Sequence, residues 1–68
     1  MKRYIFGICN FFDNKTEIKE IHADNEFNAA VELALMYFVN VSECKTIIDI
    51  QNAFFDCDCS MSDPYELD

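Results

Sequence analysis

The chain has 68 residues, 51% of them hydrophobic and 26% charged, with 13 acidic against 5 basic side chains and a formal net charge of −8. That length holds one domain, which buries only about 60% of its unfolded surface, and the balance of apolar to charged residues excludes a disordered chain. The acidity argues against direct binding to nucleic acid or anionic membranes and favours basic protein surfaces, although acidity also serves solubility alone.

The N-terminal stretch 2–12 is apolar in both registers, with Tyr4, Phe6 and Ile8 on one face and Ile5, Cys9 and Phe11 on the other. A strand apolar on both sides belongs in the middle of a sheet or under a partner. Gly7, the only glycine, weakens it and marks a bulge or a close approach. Two basic residues before an apolar run faintly resemble a signal peptide, but the run is aromatic and β-branched, lacks a small-residue cleavage site and ends at Asp13. The expected location is cytoplasmic. Asp13, Asn14 and Lys15 read as a turn, and 16–23 as a second strand paired with the first. Its Ile18 and Ile21 are three apart, which breaks alternation and predicts a bulge or twist.

Residues 24–38 carry the clearest pattern in the chain: Phe27, Ala30, Val31, Ala34, Leu35 and Phe38 repeat at helical spacing. Asp24 reads as the N-cap, Glu26 complements the helix dipole, and Asn40 suits a left-handed C-terminal residue. After a connection at 41–43, the β-branched run 45–50 reads as a third strand. Gln51 and Asn52 form a turn, and 53–60 alternates as a fourth strand with Phe55, Cys57 and Cys59 on one side. A competing reading makes 42–54 a second helix capped by Ser42 and using Cys44, Ile47, Ile48 and Phe54. Residues 61–68, with the only proline, read as an irregular acidic C-terminal tail. The expected architecture is therefore a single α+β domain over 1–60: an antiparallel sheet in the order ββαββ, two-layer, with one helix on one face. The longest uncharged run, 33–42, is too short to span a bilayer.

Four cysteines, Cys9, Cys44, Cys57 and Cys59, raise the alternative of a small zinc-binding structural module. Tetrahedral zinc takes such ligands. The paired spacing that marks zinc sites is missing, however, so the cysteines read as small buried hydrophobes and no cofactor is expected. A Cys57–Cys59 disulfide would be strained. His22, the only histidine, lies beside Glu20 and Asp24, but no nucleophile accompanies it. The single glycine excludes a phosphate-cradling loop. A non-enzymatic role follows.

Lys45 is the last basic residue, and Asp49, Asp56, Asp58, Asp63, Glu66 and Asp68 follow it without compensation. In a strand, Asp56 and Asp58 would lie about 7 Å apart, near the spacing of successive phosphates. These six acids are the candidate partner-binding residues, as a phosphate-mimicking face for a basic groove. Leu33, Met36 and Tyr37 extend the helix's apolar arc and make a candidate homodimer or docking patch.

The element order over 4–38, with a short aromatic first strand, a hairpin and an Ala-rich helix entered through Ala23-Asp24 (EFNAAVELAL), resembles small phage and mobile-element accessory proteins of the anti-CRISPR and anti-defence type. The resemblance is architectural and carries no functional residues across. It implies a stoichiometric inhibitor that occludes a host protein with a basic surface, such as a nucleic-acid-binding defence complex.

Overall fold

The structure is a computed structural model that describes residues 1–67. Its organising element is β1 (Lys2–Asn10), which pairs along both edges. On one edge it forms a hairpin with β2 (Lys15–Ala23), in unbroken antiparallel register from Lys2 opposite Ala23 to Asn10 opposite Lys15. The bulge expected in β2 is absent. Ile18 and Ile21 simply face opposite sides, Ile18 68% exposed and Ile21 buried in the core. The turn is organised by Asn10 rather than Asp13: its Oδ1 accepts the N–H groups of Phe12 and Asp13, and Asn14 takes the left-handed conformation at φ 55°.

Two helices, not one, follow the hairpin. The first, α1 (Glu26–Met36), is capped by Asn25, not by Asp24: the Asn28 N–H donates to Asn25 Oδ1. Its buried face is Ala29, Ala30, Leu33 and Ala34, with Leu33 the one large side chain among three alanines. The face predicted from spacing is rotated by about one residue, leaving Leu35 and Phe38 exposed. The helix ends earlier than Asn40. The Val39 N–H reaches the Ala34 carbonyl and the Phe38 N–H the Leu35 carbonyl, with Phe38 itself at φ 58°. That is the hydrogen-bond pattern of a Schellman ending, with a phenylalanine where glycine is usual.

Most of the stretch 45–56 is helical rather than strand and turn: α2 runs over Ile47–Asp56. A capping box starts it. Thr46 Oγ1 accepts the Asp49 N–H, and the Asp49 carboxylate accepts the Thr46 N–H. Ile50 and Phe54, four apart, enter the core. The competing helical reading of 42–54 is thus right in kind, with Thr46 and not Ser42 as its cap.

The expected fourth strand shrinks to β3 (Cys59–Met61), and the tail is not irregular: β4 (Tyr65–Leu67) pairs with β1 as well. Together β3 and β4 run along the second edge of β1, and the register slips by one between them. Ile8 faces Met61 and Ile5 faces Tyr65, so residues 62–64 oppose only Phe6 and Gly7. This bulge holds Pro64, which has no N–H to give a ladder. Ser62 takes over there. Its N–H donates to the Gly7 carbonyl, and its Oγ accepts the Gly7 N–H at 2.8 Å. Gly7 lies opposite a bulge, as expected, but not at a close approach: a Cβ there would meet nothing nearer than Ser62 Oγ at 3.8 Å.

Both helices cover the same face of the sheet. Tyr4, Phe6, Ile8, Ile21, Cys59 and Met61 from the strands meet Leu33, Ile50 and Phe54. The fold is a two-layer α+β domain with an antiparallel sheet. Its second sheet face, with Ile5, Gly7, Cys9 and Ile18, carries no layer among the described residues.

Candidate protein-docking surface

Of the six acids expected to form one contact face, the five among the described residues are dispersed. Asp49 is consumed by the start of α2: it accepts the N–H groups of Lys45 and Thr46, and these bonds, that of Lys45 first, hold its carboxyl below the usual carboxylate range. Asp63 accepts from Gln51 Nε2 at 2.9 Å. Glu66 is not uncompensated, since Lys2 Nζ lies 4.0 Å away in an exposed ion pair. Asp68 lies outside the described residues. Asp56 and Asp58 remain, at the end of α2 rather than along a strand. Asp58 follows the C-cap Cys57 in the left-handed conformation, φ 61°.

The hairpin turn meets that helix end. The Phe11 N–H donates to the Asp58 carbonyl at 2.8 Å, and the Phe11 and Phe55 rings meet edge to face with centroids 5.9 Å apart. Phe11, Phe55 and Phe12 are 51%, 65% and 87% exposed. Asp13 belongs to the same turn. The Cys59 thiol, beneath this end, is pushed up first by burial and then by Cys57, Asp58, Cys9 and Asp13. One end of the molecule therefore combines three exposed aromatic rings with Asp13, Asp56 and Asp58. Spacing along the chain points to the acids and misses the rings, because a strand reading turns Phe11 and Phe55 inward. The signal for Phe11 and Phe12 lies in Asn10, whose side chain ends the strand before them.

Asp56 and Asp58 are placed against the helix dipole. The last turn of α2 holds no basic residue, and a carboxylate at a helix C-terminus faces its negative pole. Among the described residues neither side chain has an ion-pair partner.

The other expected sites fare unevenly. Leu33, expected on the docking patch, is fully buried in the core. Met36 is half-exposed, and Tyr37 packs edge to face on Phe54 while its hydroxyl donates to Glu17 Oε1. Burial first, and then that bond, pushes the Tyr37 phenol up to about 12. The cysteines do not converge: Cys9 points to the open sheet face, Cys59 to the core, Cys57 to solvent, and Cys44 lies before α2. Among the described residues no three His, Cys, Asp or Glu side chains gather as a metal site. His22 Nε2 meets Glu20 Oε2 at 2.7 Å in an exposed pair at the sheet margin, with Arg3 at 4.0 Å from the same carboxylate. A recess of about 260 Å³ lies between Tyr37, Ile8, Asn10, Asp13, Lys15 and Glu17. No described helix is long and apolar enough to cross a membrane.

No protein-family model, curated protein or solved structure matches this chain.

Proposed function

We propose that this chain is a non-enzymatic protein-binding inhibitor, of the phage anti-defence kind, that docks on a basic surface of a host protein and occludes a nucleic-acid-binding groove there. The docking end is the hairpin turn with the end of α2. The observation that carries this reading is the placement of Asp56 and Asp58 at the negative pole of α2, beside exposed Phe55, Phe11 and Phe12. Carboxylates there weaken the helix, and aromatic rings in water forgo their burial energy, so both are better explained by what they meet than by the fold. Aromatic anchors with a charged rim are how protein interfaces are built, and the negative rim selects a Lys/Arg-lined partner.

The test is capture from a bacterial lysate with the immobilised chain, identification of the captured protein, and competition of the pair against nucleic acid. Asp56→Lys with Asp58→Lys weakens capture in a salt-dependent way, and Phe12→Ser with Phe55→Ser abolishes it. Capture unchanged by both double variants overturns the reading.

A further inference from the structure

We propose that the free edge of β2 is a self-pairing interface, on which a second copy of this chain adds antiparallel, with the two-fold axis at Ile18. This inference does not rest on the docking function above, since it uses the side of the sheet rather than the end of the molecule.

The edge is available. β2 pairs with β1 on one side only, and its other side carries no strand among the described residues. Its nine residues keep register with β1 throughout, with no proline and no bulge to turn the backbone away. Lys15, Thr16, Glu17, Ile18 and Glu20 are all exposed, and Ile18, 68% exposed, is an apolar side chain on the margin of the open face.

The sequence of the edge selects a register. Two identical antiparallel strands related by a two-fold axis must place some residue opposite itself, because the pleat and the outward N–H groups both alternate with period two. Centred on Glu17, Lys19 or Glu20, the pairing sets like charges face to face, which is destabilising. Centred on Ile18, it sets Ile18 against Ile18 of the second copy, and Glu17 against Lys19 twice by symmetry. Thr16 then faces Glu20, and Lys15 faces Ile21. Of the registers that pair most of the nine-residue strand, centred on Ile18, Lys19 and Glu20, this alone has no like-charge self-contact. The charged ring that guards an edge against foreign strands is, in this register, complementary to itself. Glu17 Oε1 accepts from the Tyr37 hydroxyl and Glu17 Oε2 lies 3.9 Å from the chain's own Lys19, so both charges stand on the helix-side face of the strand, where the second copy's Lys19 and Glu17 exchange with them. A strand edge buries less area than the roughly 1,200 Å² at the low end of stable interfaces. The pair therefore forms reversibly with concentration.

Sedimentation equilibrium of the full chain, from about 10 μM to about 1 mM, tests this. The 7.9 kDa chain is expected to rise towards twice that mass over the series. Ile18→Lys and Glu17→Lys each raise the dissociation constant by about tenfold or more, since each puts like charges opposite one another. Glu17→Lys combined with Lys19→Glu restores opposite charges in this register only and recovers the association. Circular dichroism confirms that each variant is folded. A chain that stays monomeric over the whole series overturns the proposal. So does association indifferent to Ile18→Lys and Glu17→Lys, or a charge-swapped double variant no better than the single.

Discussion

Ser62 Oγ accepts the Gly7 N–H at 2.8 Å, so a side chain completes the ladder where the backbone of the bulge leaves it. Ser62→Ala removes that acceptor, and the expected cost is about 0.5–1.5 kcal/mol. Gly7→Ala acts in the opposite direction. A Cβ there meets Ser62 Oγ at 3.8 Å and Ile18 Cδ1 at 3.9 Å, which is ordinary contact, and no positive φ demands glycine. A gain of about 0.5–1 kcal/mol is expected from reduced unfolded-state freedom. Urea unfolding of both variants checks the pair of signs.

Phe54 and Phe55 are neighbours with opposite fates. Phe54 is fully buried against Tyr37, and Phe55 is 65% exposed. Phe54→Ala is expected to cost about 3–5 kcal/mol, comparable to the whole stability of a domain this size, roughly 3–10 kcal/mol. Phe55→Ala is expected to cost under about 1 kcal/mol. Denaturant midpoints separate them. Equal losses would contradict the helical assignment of α2.

Phe38 holds a left-handed conformation with its ring 95% exposed. Nothing in the described fold repays that. Phe38→Gly is expected to raise stability by about 1 kcal/mol, read as a higher Tm.

The Asp49 carboxyl is held below its usual range by backbone N–H groups at the start of α2. A lowered folded-state pKa gives stability that is full above the unfolded value of about 3.9 and fades as pH falls through the folded one. Thr46→Ala is expected to cost about 1 kcal/mol near neutral pH, and Asp49→Ala to lower the stability there as well. Asp49→Ala also flattens the acid limb of a plot of stability against pH below about 4. Thermal melts between pH 7 and pH 2 give both quantities.

The Tyr37 phenol behaves oppositely. Raised to about 12 from its ordinary value of 10.0, it contributes stability in full below pH 10, and that contribution is lost between 10 and 12 as the unfolded chain ionises first. Tyr37→Phe is expected to make the alkaline decline shallower, checked by melts from pH 8 to pH 12. Tyr4, also raised chiefly by burial, keeps part of the decline in place.

The hairpin and α1 were legible because their patterns are local: an apolar β1 with one glycine, a turn of Asp and Asn, and alanines at helical spacing. The second helix is legible only as the competing reading, because Thr46, Ile47 and Ile48 favour a strand by propensity, whereas the capping box and the burial of Ile50 and Phe54 decide for a helix. That one difference carries over to the site. As strand residues, Asp56 and Asp58 would have shared a face with the acids beyond them. At the end of a helix they lie by the hairpin turn, where the Asp58 carbonyl accepts the Phe11 N–H, while Asp49 is left at the far end as a cap. The pairing of β4 was illegible for another reason: it depends on β1, some sixty residues earlier, and the bulge that admits Pro64 has no signature within the tail.

The two margins of the sheet are unequal. On the β3–β4 side the backbone is broken by Ser62, Asp63 and Pro64, and Glu66 and Lys2 stand across its end. A molecule with two good margins would template a third copy, and then a fourth, into an open filament. With one margin spoiled, any strand-to-strand growth stops at two, so the chain can keep a long bare strand in water without seeding fibres.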